Sequence, residues 1–220
     1  MKEKSETEKT DTRSFTRGEE ISHSISHGVG ALLSIAALVL LVIFSVRSGS
    51  ARITAGYAIF GASLIVLFAV SSIFHGLLAG AAKRAMAVMD YSAIYVLIAG
   101  SYTAFSFAAL RGPASWALFG AAWGIAVVGI TMKLIFPFRY YKAFLVSYLV
   151  MGWLVAPFLG RIQATIPAGA FALFLAGGLS YTVGTIAFSL QRFKWLHFVW
   201  HLFVLGGAVC HALAAMAIIV

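Results

Sequence analysis

His197 and His201 stand four residues apart, so on a helix both imidazoles leave one face and can ligate a single metal ion. His75, four residues after Ser71, offers a third imidazole from another segment. Three histidines with one coordination position left for water make the open arrangement of catalytic zinc. Zinc lowers the pKa of such a water from ~15.7 towards ~7. Asp90 is the one acidic residue after Glu20. It is therefore the group to accept a proton from that water or to orient it. Ser71, one turn from His75, has a hydroxyl to offer an intermediate oxygen or a ligand.

The elements that must position these groups are membrane spans. The chain has 220 residues, 61% hydrophobic and 10% charged, where a soluble domain carries roughly a quarter charged residues. Apolar segments at about 20–45, 53–78, 88–110, 113–135, 141–160, 167–190 and 196–219 each approach or exceed the ~20 residues that cross a bilayer. The expected fold is all-α, a seven-transmembrane helix bundle over 18–220, after a disordered polar tail at 1–17. Thr16 and Glu19 have capping-box spacing and start the first helix near Arg17. Pro113 and Pro167 mark the starts of the fourth and sixth spans, Pro137 a loop, and Pro157 a kink or stop in the fifth. Gly120 and Gly124 form a GxxxG pair that predicts a close helix contact.

The net charge of +9 belongs to short basic gaps between apolar runs, which read as topology signals and lipid contacts, with no nucleic-acid partner. With the N-terminus cytoplasmic and the C-terminus outside, twelve Lys and Arg fall inside and four outside. The single Cys210 supports neither a disulfide framework nor a Cys-rich metal site. No H-E-x-x-H motif is present.

In that topology Glu20, His23 and His27 form one stripe at the inner end of the first helix, and Ser71 and His75 share a face at the inner end of the second. Asp90 opens the third helix after the loop holding Lys83 and Arg84, and His197 and His201 begin the seventh. Polar groups from four helices thus meet at one depth, where ionisable residues are expensive and usually functional. His211 lies ten residues beyond His201, about 15 Å along a helix, too far to share its ion. Tyr102, Thr103, Tyr148, Tyr181 and Thr182 either line a cavity or pack helix on helix.

The string from Glu20 through His27 to Gly30, with Ser71-x3-His75, Asp90-Tyr91 and His197-x3-His201, resembles the haemolysin III family. That family is the bacterial branch of the progestin and adipoQ receptor superfamily, which includes the adiponectin receptors. The resemblance runs from about residue 18 to the end. It implies a zinc ion held by His75, His197 and His201 near the cytoplasmic face, with Asp90 and Ser71 beside the bound water and His211 outside the ligand set. It further implies a multi-pass protein of the bacterial inner membrane whose partners are lipids. The activity implied is zinc-dependent hydrolysis of a lipid amide or ester, linked to membrane-lipid homeostasis. The chain departs from the family at His23, where Asn is common, and it lacks the long extensions of the animal receptors. Two alternatives stand beside hydrolysis. One is a non-enzymatic sensor or regulator of membrane composition with structural zinc. The other is a pore-forming haemolysin, for which the helices carry no ring of charges or wide polar stripe.

Overall fold

The computed structural model describes residues 14–219, so the first thirteen residues of the expected tail lie outside the described residues. The described secondary structure is helical throughout: α1 (Arg17–Val46), α2 (Ala51–Gly76), α3 (Ala81–Ala109), α4 (Pro113–Ile135), α5 (Tyr141–Gly152), α6 (Leu159–Gln163), α7 (Ala168–Ser189) and α8 (Leu196–Ile219). With α5 and α6 counted as one interrupted segment, seven spans are long and apolar enough to cross a membrane. The protein is a multi-pass membrane protein. Leu32, Val39, Ile43, Val127 and Ile186 are exposed on its outside, where lipid rather than water is the natural solvent.

Local signals set most boundaries. The Thr16 hydroxyl accepts from the Glu19 N–H, and the Glu19 carboxylate accepts from the Thr16 N–H at 3.0 Å, which completes the capping box. Pro113 sits in the first turn of α4. In the fifth span α5 stops at Gly152, and Pro157 lies in a 3₁₀ turn, Ala156–Phe158, before α6 resumes.

Two expectations need correction. The third helix begins at Ala81, so Lys83 and Arg84 are helical and Asp90 lies in the third turn rather than at the start. The Ala-Ala-Lys-Arg-Ala-Met-Ala stretch is made of strong helix formers, and the helix runs past the apolar segment that hydropathy detects. The GxxxG pair makes no close helix contact among the described residues, because a Cβ added at Gly120 or Gly124 meets nothing within 4 Å. On α4 the close approach falls at Gly129, whose missing side chain leaves room for the Tyr95 ring of α3.

Packing follows chain order: α1 on α2, α2 on α3, α3 on α4 and α7 on α8, with α1 also touching α8. α3 is the most buried span. The α1–α2 seam uses small residues, with Gly30 against Phe68 and Gly61 against Leu38. Ser24 donates to the Ser72 carbonyl at 2.9 Å and Ser72 donates back to the Ser24 carbonyl at 2.8 Å. Interhelical bonds of this kind contribute on average ~0.6 kcal/mol each, so the seam rests mainly on close packing. Its consequence is a fixed register that brings the end of α2 beside the start of α1.

Candidate metal centre

Helix periodicity puts His23 and His27 on the buried face of α1, His75 in the last turn of α2, and His197 and His201 on one face of α8. The seams between these helices then gather all five rings. Ring centroids lie 4.6 Å apart for His23–His75, 4.8 Å for His23–His197, 5.3 Å for His75–His197 and 4.9 Å for both His75–His201 and His197–His201. His27 stacks on His201 at 3.7 Å. All five residues are buried. Three of them, His23, His75 and His197, bring one ligand atom each to within 4.8 Å of one another, close enough to hold a metal ion.

Neighbouring groups fix which nitrogen each ring turns inward. His75 Nδ1 lies 2.6 Å from the Glu20 carboxylate. A carboxylate accepts, so the proton is on Nδ1 and the lone pair on Nε2. Glu20 is held in turn by Lys83, whose ammonium donates to its other oxygen at 2.6 Å and to the Leu77 carbonyl at 3.0 Å. His197 Nδ1 lies 2.9 Å from Gln191 Oε1, and the Gln191 amide donates to the Tyr141 hydroxyl at 2.8 Å. His201 Nδ1 is 3.4 Å from the Ser26 hydroxyl. That hydroxyl spends its one proton on the His23 carbonyl at 2.9 Å, so it accepts from His201. In each of these three rings Nε2 carries the lone pair. Metal-ligating histidines nearly always give their other N–H to such an acceptor, which fixes tautomer and orientation.

The donors fit a cation. Neutral imidazoles suit zinc, and His75 Nε2 is buried without a hydrogen-bond partner among the described residues. A buried polar nitrogen left bare costs about 1–3 kcal/mol. An ion there would remove that penalty. Phe15 covers the cluster from the N-terminal side, with its ring 4.7 Å from His197 and 4.9 Å from His23.

A cavity of about 140 Å³ opens beside the cluster, lined at that end by His27, Ser71, Asp90, His197 and His201. Asp90 is half-buried and hydrogen-bonded to Ser71. Away from this end the walls are mainly apolar, from α3, α5, α7 and α8. Tyr102, Tyr148, Tyr181 and Thr182 line it as well. Thr103 does not. Its hydroxyl donates to the Ala99 carbonyl and accepts from Trp123 Nε1, so it joins α3 to α4.

Of the residues singled out in the sequence, the fold places Ser71, Asp90, His197 and His201 at one end of one cavity, with His75 packed against His197 and His201. His23, set aside as a departure from the family pattern, sits among the other rings. Glu20 had a stripe position but no assigned partner. Gln191 and Tyr141 gave no signal, since they lie in a loop and at a helix start and belong to no spaced motif of their own.

Fold and cluster together define a polytopic membrane protein with three buried histidines close enough to hold a metal ion. The sequence matches the family described as Haemolysin-III related over residues 15–212. The chain belongs to that family. It is 39% identical to Hemolysin-3 of Bacillus cereus, covering 86% of this chain and 87% of that protein. It is 40% identical to the Hemolysin-3 homolog of Bacillus subtilis (strain 168), covering 88% and 91% respectively. A more distant likeness, 28% over 70% of the chain and 66% of the relative, links it to the human Monocyte to macrophage differentiation factor. No solved structure matches it.

Proposed function

We propose that this protein is a zinc-dependent hydrolase of a lipid amide or ester, working at the cytoplasmic side of a bacterial inner membrane and serving membrane-lipid homeostasis. His75, His197 and His201 are the ligands in this reading, with His23 as their neighbour. The observation that carries it is the group of buried histidines, of which His23, His75 and His197 bring their ligand atoms together, beside an apolar cavity lined by Asp90, His197 and His201. A bound zinc ion supplies a Lewis acid and makes water available as a nucleophile near neutral pH. Asp90 takes the proton of the attacking water on a carboxylate oxygen, and Ser71 holds that carboxylate towards the cavity. Glu20 and Gln191 keep His75 and His197 in the tautomer that presents Nε2. The apolar walls take the lipid chain and exclude bulk water.

The test is elemental analysis of the purified protein beside His75→Ala, followed by product release from ceramide-like amides and from lipid esters. About one zinc per wild-type chain, lost in the variant, with turnover lost in Asp90→Asn, supports the reading. Zinc-free folded protein ends it. The imidazoles come from α1, α2 and α8, which also favours a second reading, a regulator of membrane composition whose zinc ties helices together. Asp90→Asn separates the two, since the regulator keeps both its zinc and its cellular function in that variant.

A further inference from the structure

At its other end the same cavity reaches His211 of α8 and Tyr181 of α7. Neither has a part in the cluster: His211 lies ten residues and about 15 Å of helix beyond His201, and Tyr181 packs against His211. His211 Nε2 lies 3.1 Å from the Phe174 carbonyl, which can only accept, so the proton is on Nε2 and Nδ1 is a bare acceptor. His211 Nδ1 and the Tyr181 hydroxyl are both buried without a hydrogen-bond partner among the described residues. Their rings are neighbours, with centroids 5.4 Å apart.

The backbone is shaped to hold them. A Cβ at Gly177 of α7 would lie 2.2 Å from the His211 ring, and a Cβ at Gly207 of α8 would lie 2.7 Å from the Tyr181 ring. Each helix thus gives up a side chain to seat the polar ring of the other. Packing alone does not require this, since phenylalanine at both places would fill the space without burying a bare acceptor and a bare hydroxyl. In the hydrocarbon layer each such atom is expensive.

We propose that this end of the cavity is a recognition site for a hydroxyl carried partway along a lipid chain. The ligand hydroxyl donates to His211 Nδ1 and accepts from the Tyr181 hydroxyl. The inference rests on the reading that the cavity admits a lipid chain, and it requires no hydrolysis. The spacing sets the chemistry of the ligand: an acyl chain whose head lies at the histidine cluster and whose hydroxyl lies about 15 Å further on.

The test uses the full-length protein in detergent, with octadecanoic acid, the same acid bearing one mid-chain hydroxyl, and the same acid hydroxylated beside its carboxylate. Calorimetry should show the mid-chain hydroxyl acid binding about tenfold more tightly than either of the others. Tyr181→Phe, which removes one oxygen and leaves the ring, should erase that preference while the plain acid binds as before. Equal binding of all three acids to the wild type overturns the proposal, leaves the cavity as a lipid site, and makes a bound water the partner of His211 and Tyr181. Failure of all three to bind overturns the lipid cavity as well. A preference that survives Tyr181→Phe and His211→Phe together places the hydroxyl elsewhere and also overturns it.

Discussion

Replacing Glu20 by Gln should weaken zinc binding by about 10–100-fold, although Glu20 is not proposed as a ligand. Its carboxylate accepts from His75 Nδ1 at 2.6 Å and from Lys83 Nζ at 2.6 Å. Gln has almost the same volume, so the change removes charge and one acceptor without opening a cavity. Its single amide oxygen can serve one donor, and its NH₂ then faces the other. His75 is no longer held with its proton on Nδ1. A hydrogen bond to a charged group contributes about 1.5–3 kcal/mol, and loss of an acceptor behind a metal-ligating histidine typically costs 10–100-fold in affinity. The assay is competition against a chelating dye, with the melting temperature of the metal-free protein as control. Lys83→Met is the companion variant. It removes an ion pair whose side chains are 19% and 20% exposed but leaves the Glu20 acceptor in place behind His75, so the loss should be smaller than that of Glu20→Gln. If Glu20→Gln binds zinc within threefold of wild type, the argument that Glu20 fixes the His75 tautomer is wrong.

Four further outcomes follow from the same geometry. His75→Ala and His197→Ala should each lose the metal by elemental analysis, and His201→Ala should do so while His23→Ala retains it; the opposite result for the last two transfers the third ligand to His23. Asp90→Asn should keep its zinc and lose at least about 100-fold in turnover of a lipid amide or ester, the range expected for a general base. Gln191→Leu removes the acceptor at His197 Nδ1 and should weaken zinc binding by about tenfold or more in the dye assay. Gly129→Ala puts a Cβ against the Tyr95 ring and should destabilise the fold by about 1–3 kcal/mol, whereas Gly120→Ala and Gly124→Ala should leave the melting curve within about 0.5 kcal/mol of wild type.

The spans were legible because apolar runs of about 20 residues have few other uses, and the capping box at Thr16 and the proline at Pro113 carry their own stereochemistry. The start of α3 was not, since hydropathy marks where a helix enters lipid and says nothing of helical residues beyond it. Gly120 and Gly124 misled because a GxxxG pattern says that a helix could approach closely, not which face its neighbour occupies. At the site, repeated spacing on one helix revealed His197 with His201 and Ser71 with His75. His23 closes the cluster only because the Ser24–Ser72 seam sets the register of α1 on α2, a property of two helices that neither sequence displays alone. Gln191 illustrates the same limit, since its partner His197 is six residues away across a loop whose path sequence does not specify.

The two polar ends of the cavity also bear on each other. A histidine buried in a membrane protein is commonly explained as a satisfied structural group, and His211 Nε2 bonded to Phe174 fits that description for one of its nitrogens. Satisfaction of one nitrogen does not account for the other, nor for the Tyr181 hydroxyl or for His75 Nε2, all of which are buried without a hydrogen-bond partner among the described residues. At about 1–3 kcal/mol for each unsatisfied group, the three together cost about 3–9 kcal/mol, a large share of the stability of an ordinary domain. A sequence rich in Leu, Val, Ala and Phe had apolar residues to place at these points instead. Two of the three atoms belong to residues that line one cavity, and the third to a ring packed against His197 and His201, which line it. The penalty is therefore concentrated where a ligand can lift it, at one end by a cation and at the other by a hydroxyl. If that is its purpose, zinc and the mid-chain hydroxyl acid added together should raise the melting temperature by more than either alone, and Tyr181→Phe should lose only the increment due to the acid's hydroxyl.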